Sequence, residues 1–100
     1  MTLEAAFIFI APNADPRAHR NVVDTPAVRL TTLAVKNYDE AAEEARKLVE
    51  NGVAAIELCG GFGHEGTARI AEAVGGRAAV GVVRFDNHPG LGFKSGDDLF

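Results

Sequence analysis

Cysteine is nearly absent. Cys59 is the only one in 100 residues, so no disulfide can close within the chain, which suits a reducing compartment. Long apolar runs are missing as well. The stretch Ala5 to Ala11 falls far short of the roughly 20 residues that span a bilayer. The N-terminus reads Met1-Thr2-Leu3-Glu4, whereas a secretory leader carries positive charge there and an apolar stretch ending at a small-residue cleavage site. These absences predict a soluble, cytoplasmic chain with no membrane partner. A basic surplus is also lacking. Net charge is −4, and no three Lys or Arg residues cluster. Nucleic-acid binding rests on phosphate neutralisation, so no nucleic-acid partner is expected.

What remains is ordinary globular material. Apolar residues make up 47% and charged residues 24%, which argues against disorder. The length is that of one domain, and residues 1–100 are read as a single α/β unit. Four apolar runs stand out: Ala5–Ala11, Val28–Val35, Val53–Cys59 and Ala78–Phe85. Three of them are nearly continuous, as strands buried on both faces are. The second run alternates with Arg and Thr and suits an edge.

Helical segments separate the runs. Tyr38–Asn51 carries Tyr38, Ala41, Ala42, Ala45, Leu48 and Val49 on one stripe. Asn37 is positioned to cap it with Glu40 three residues on, and Gly52 stands where a helix stops. A further helix covers about Glu65–Val74, with Thr67, Ile70, Ala71 and Val74 facing inward and Gly75-Gly76 ending it. A first helix is expected after Asp15-Pro16, finishing before Thr25-Pro26.

The order β-α-β-α-β-α-β predicts a small three-layer domain: a four-stranded parallel sheet, flavodoxin-like order 2-1-3-4, flanked by helices. Residues 86–100 form an irregular, loop-rich C-terminal tail. Its apolar Phe93, Leu99 and Phe100 have no element of their own to bury them. That tail and the two sheet edges predict a homo-oligomer, most simply a dimer.

In such a sheet, ligands bind beyond the carboxyl ends of the strands. The residues that fall there are Asn13 and His19, then Lys36, then Cys59 to Gly66, then Arg84 to Gly90. The third loop contains Gly61-x-Gly63-x-x-Gly66, and Asp86 follows twenty residues later, the formal dinucleotide fingerprint. Only one βαβ unit follows those glycines, so a dinucleotide is disfavoured. Two readings stay open for Gly61 and Gly63. They expose backbone amides at a helix start to a small anion, or they make a tight turn. Arg84 ends an apolar strand and either pairs with Asp86 or Glu57 or meets an anionic ligand. Asn13, Lys36 and Asn87 are further ligand-facing positions.

His64 and His88, oriented by Glu65 or Asp86, fit general acid/base work. With His19 they also offer three nitrogens to a metal, or they simply bond the backbone. Cys59 is either a nucleophile at a helix start or a small core residue. The residues leave the identity of any cofactor open.

The segments Ala5–Pro12, Glu57–Gly66 and Val82–Gly90 together resemble a family of short prokaryotic proteins catalogued only as a domain of unknown function. The resemblance spans essentially the whole chain and implies a complete protein. It implies no activity. The residues themselves lead to a small-molecule enzyme acting on an anionic metabolite through His64 and His88. The alternatives are a non-catalytic ligand-binding or regulatory module, and a structural subunit of a homo-oligomer.

Overall fold

The computed structural model describes residues 2–100. Strand β1 (Leu3–Ile10) leads to β2 (Arg20–Asp24) and β3 (Val28–Val35), then helix α1 (Tyr38–Glu50), β4 (Ala55–Leu58), helix α2 (His64–Val74) and β5 (Ala79–Val82). The tail holds two single 3₁₀ turns, Pro89–Leu91 and Gly96–Asp98. The sheet has five strands in the order β2-β3-β1-β4-β5. β3, β1, β4 and β5 run parallel, and β2 is antiparallel to β3.

Two expectations are corrected here. The sheet is mixed and five-stranded rather than four-stranded and parallel, and the expected first helix is a turn followed by β2. Asp15 does start a turn, accepting from the Arg17 N–H at 2.9 Å while its carbonyl accepts from His19 at 2.7 Å. The chain then extends instead of coiling. The residues Arg20–Asp24 have a free strand beside them, and Thr25-Pro26 supplies a hairpin turn closed by Thr25 N–H to the Val28 carbonyl at 2.9 Å. The Arg- and Thr-containing run at Val28–Val35 is therefore internal, with β2 as the edge beyond it.

Losing that helix also removes a layer. Both remaining crossovers, β3 to β4 through α1 and β4 to β5 through α2, step in the same direction along the sheet. Right-handed connections then place both helices on one face. Ala6, Ile8 and Ile10 of β1 are buried beneath them with Leu33, Val35, Ile56 and Leu58. The intervening Ala5, Phe7 and Phe9 face the uncovered side and are only half-buried. The domain therefore has two layers where three were expected.

The helices follow their local signals. The Glu40 N–H donates to Asn37 Oδ1 at 2.9 Å, as an N-cap requires. The Glu40 carboxylate accepts from Lys36 N–H at 2.9 Å, one residue earlier than a capping box. α1 buries Tyr38, Ala41, Ala42, Ala45 and Leu48, and α2 buries Ile70 and Val74. Fully burying side chains such as Leu33, Ile56 or Ile70 contributes about 1.5–3 kcal/mol each. Glu44 is a buried acid on α1, held 3.6 Å from Arg20 and 3.3 Å from Lys47. Among the described residues no helix is long and apolar enough to cross a membrane.

Candidate functional site

Two segments meet beyond the carboxyl end of the sheet: the turn from β4 into α2, and the chain leaving β5. Between them lies a cleft of about 180 Å³. Phe62, Val82 and Phe85 supply its apolar wall, and His64, Thr67, Arg84, Asp86 and Ser95 its polar groups. Arg84 Nε donates to Asp86 Oδ1 at 2.9 Å, and His64 Nε2 lies 4.0 Å from the same oxygen. All three side chains are solvent-exposed. Of the two partners foreseen for Arg84, the structure selects Asp86.

The glycine loop is occupied by the chain's own atoms. Asp97, from the tail, reaches the start of α2. Its carboxylate accepts from Glu65 N–H at 3.0 Å, from Gly66 N–H at 3.1 Å and from the Tyr38 hydroxyl at 2.8 Å. The same hydroxyl accepts from Gly63 N–H at 3.1 Å. A side chain at Gly63 would strike the Asp97 carboxylate, and one at Gly66 the Tyr38 ring. These glycines therefore serve close approach within the protein. The amides at the helix start are taken up internally: Glu65 and Gly66 N–H by the Asp97 carboxylate, Gly63 N–H by the Tyr38 hydroxyl and Gly61 N–H by Cys59 Sγ.

The environment shifts both titrating groups. Burial pushes the Tyr38 hydroxyl up to about 12; the Gly63 N–H opposes this and the Asp97 charge adds to it. Burial also opposes ionisation of Asp97. The hydrogen bonds from Glu65 N–H, the Tyr38 hydroxyl and Gly66 N–H outweigh it and hold Asp97 below its ordinary value.

The remaining predicted residues lie elsewhere or serve the backbone. His88 Nδ1 accepts from Gly90 N–H at 3.0 Å, and its ring packs on Phe85 with centroids 4.7 Å apart. It touches a residue of the cleft without lining it. His19 Nδ1 accepts from Asp15 N–H at 2.9 Å, just before β2. β2 and β5 are opposite edges, four strand spacings or roughly 19 Å apart, so His19 does not join the other histidines. No group of three or more His, Cys, Asp or Glu able to hold a metal ion occurs among the described residues. Asn13 is exposed in a turn with φ 63°. Lys36 pairs with Glu40 at 4.0 Å, and Asn87 is exposed in the tail. Cys59 Sγ lies 3.3 Å from the N–H groups of Ile10 and Gly61, each placed to donate to it. Sequence reasoning missed Asp97 and the hydroxyl of Tyr38. Tyr38 was visible only as an apolar stripe position, and nothing near Asp97 in the sequence refers to a helix start more than thirty residues earlier.

The fold and cleft define a small two-layer α/β domain with a charged cleft between α2 and the chain leaving β5. Residues 3–98 match the family described as a family of unknown function, DUF6506, and the chain belongs to it. No curated protein and no solved structure matches the chain.

Proposed function

We infer that this protein handles a small anionic ligand, a carboxylate or phosphate, in the cleft between α2 and β5. One observation carries this reading: His64, Arg84 and Asp86, from two separate segments, converge on a cleft with an apolar wall. Arg84 offers a forked cation that suits either anion. Asp86 holds that guanidinium at 2.9 Å and lies 4.0 Å from His64, which places an imidazole, a side chain suited to proton transfer, beside the cation. A cleft of about 180 Å³ lies below the roughly 300–1,000 Å³ of drug-sized sites. That supports a compact metabolite and weighs against a dinucleotide.

His64 is the acid/base candidate on this reading, and His88 is a positioning residue acting through Phe85. A thermal-shift panel of small phosphates and carboxylates tests the binding. Folded-state binding raises Tm with ligand concentration, and Arg84→Ala is expected to abolish the rise. His64→Gln retains the rise and loses turnover if the protein is an enzyme. If it is a binding or regulatory module, wild type shows the rise without turnover. No rise with any anion removes the reading.

A further inference from the structure

The two edges of the sheet differ in a way that points to a partner. On β2, the outward amide at the centre of the edge is already satisfied: Val22 N–H donates to Asn21 Oδ1 at 2.8 Å. Arg20 is engaged by the Pro16 carbonyl at 3.1 Å and by Glu44. Side-chain capture and charge of this kind protect an edge from pairing. β5 has neither. Ala79-Val80-Gly81-Val82-Val83 contains no charge, proline or hydrogen-bonding side chain, and Val82 and Val83 are 40% and 51% exposed.

The ladder shows which backbone groups are free. Ala79 and Val83 donate inward, to the carbonyls of Ala54 and Leu58 on the β4 side. In a parallel pair, alternate residues turn both backbone groups to the same side. Gly81 therefore also points inward, and the N–H and C=O of Val80 and Val82 point away from the sheet. Those two amides have no partner among the described residues.

We propose that β5 pairs antiparallel with β5 of a second copy across a two-fold axis at Gly81, making one continuous ten-stranded sheet. A two-fold antiparallel pair must place one residue opposite its own copy, because hydrogen-bonded and non-bonded pairs alternate. The register centred on Gly81 keeps every pair within the apolar five-residue run. Val80 and Val82 bond each other reciprocally, and Ala79 faces Val83. The residue on the axis falls at a non-bonded pair, where Cα atoms approach to about 4.5 Å. Glycine there brings no side chains into collision. A second copy fits better than an unrelated strand because the run reads nearly the same in both directions about Gly81. The contact is isologous and closes at two. It is independent of the ligand-binding reading.

The test uses the residue that faces itself. A Cβ at Gly81 meets nothing within 4 Å in the single chain, so Gly81→Lys and Gly81→Glu are expected to fold with unchanged circular dichroism. Light scattering on wild type should give twice the chain mass of 10.5 kDa. Either variant alone should give the single-chain mass, because like charges meet on the axis, and an equimolar mixture of the two should recover the doubled mass. Amide exchange supplies a second measurement on the unaltered protein: Val80 and Val82 should gain at least tenfold protection between micromolar and millimolar chain. A wild-type monomer at millimolar concentration overturns the proposal. So does a doubled mass that Gly81→Lys leaves intact, a mixture that stays monomeric, or protection appearing at Val22 instead.

Discussion

The hydroxyl of Tyr38 donates to Oδ1 of Asp97 at 2.8 Å, although 59 residues separate the two. This bond ties the first residue of α1 to the tail, and both groups converge on the start of α2. Tyr38 also stacks on Phe62 with centroids 5.6 Å apart and meets Phe100 at 6.2 Å. The tail is thereby folded back onto its own domain through Asp97 and Phe100. Phe93 and Leu99 remain 70% and 49% exposed.

Removing the Asp97 carboxylate should destabilise the protein as loss of a helix cap does. Asp97→Ala leaves the Glu65 and Gly66 amides without their acceptor, at a cost of about 0.5–2 kcal/mol. For a domain of this size each 1 kcal/mol lowers Tm by roughly 4–8 °C. Tyr38→Phe should cost about 1–3 kcal/mol, since it strips an acceptor from the buried Gly63 N–H. A thermal melt of each variant checks both values. A melt of Asp97→Ala identical to wild type would show the cap to be supplied by water.

Acid should expose the same carboxylate. Asp97 is held below its ordinary value of 3.8 in the folded state. A group depressed on folding contributes stability above its unfolded pKa and loses it as pH falls through the folded one. The Tm difference between wild type and Asp97→Asn should therefore be constant from about pH 7 to pH 5. It should shrink below about pH 4. A difference that persists unchanged at pH 2 contradicts this.

Alkali gives an optical readout, because Tyr38 is the only tyrosine. Tyrosinate absorbance near 295 nm should rise with a midpoint of about 12 in the folded protein, against 10.0 for the free side chain. Here the folded pKa is raised. The stability linked to Tyr38 is complete below pH 10 and disappears as pH climbs toward 12. A folded-state midpoint near 10 would mean that the hydroxyl is open to solvent.

Two glycines should respond in opposite ways to alanine. A methyl at Gly96 would run into the Gly61 carbonyl and the Tyr38 hydroxyl, and overpacking of this kind costs about 1–3 kcal/mol. Gly96→Ala should also loosen the tail, seen as faster amide exchange at Glu65 and Gly66. At Gly81 the added methyl meets open space within the single chain, so Gly81→Ala should stay within about 0.5 kcal/mol of wild type at concentrations low enough to keep both monomeric. Comparable destabilisation by both would place the tail differently.

The sequence by itself determined the elements whose signals are local. The Val28–Val35 run is β3 without change of boundary, and the stripe from Tyr38 to Leu48, capped by Asn37, is α1. Gly75 takes φ 60° at the end of α2, where the glycine pair marked the stop. Periodicity and capping report on neighbours three or four residues away, so one chain segment contains the whole argument. Tertiary structure alone decided the rest. Arg20–Asp24 is too short to show a period, and only the open flank of β3 made it a strand rather than a helix. That choice left one face of the sheet bare. The glycine loop exposed helix-start amides in the sequence, but which anion meets them depended on where a turn-rich tail came to rest. Asp97 won that position because the fold brings its carboxylate, the α2 start and the Tyr38 hydroxyl into one place, a contact between residues too distant in sequence for any local pattern to encode.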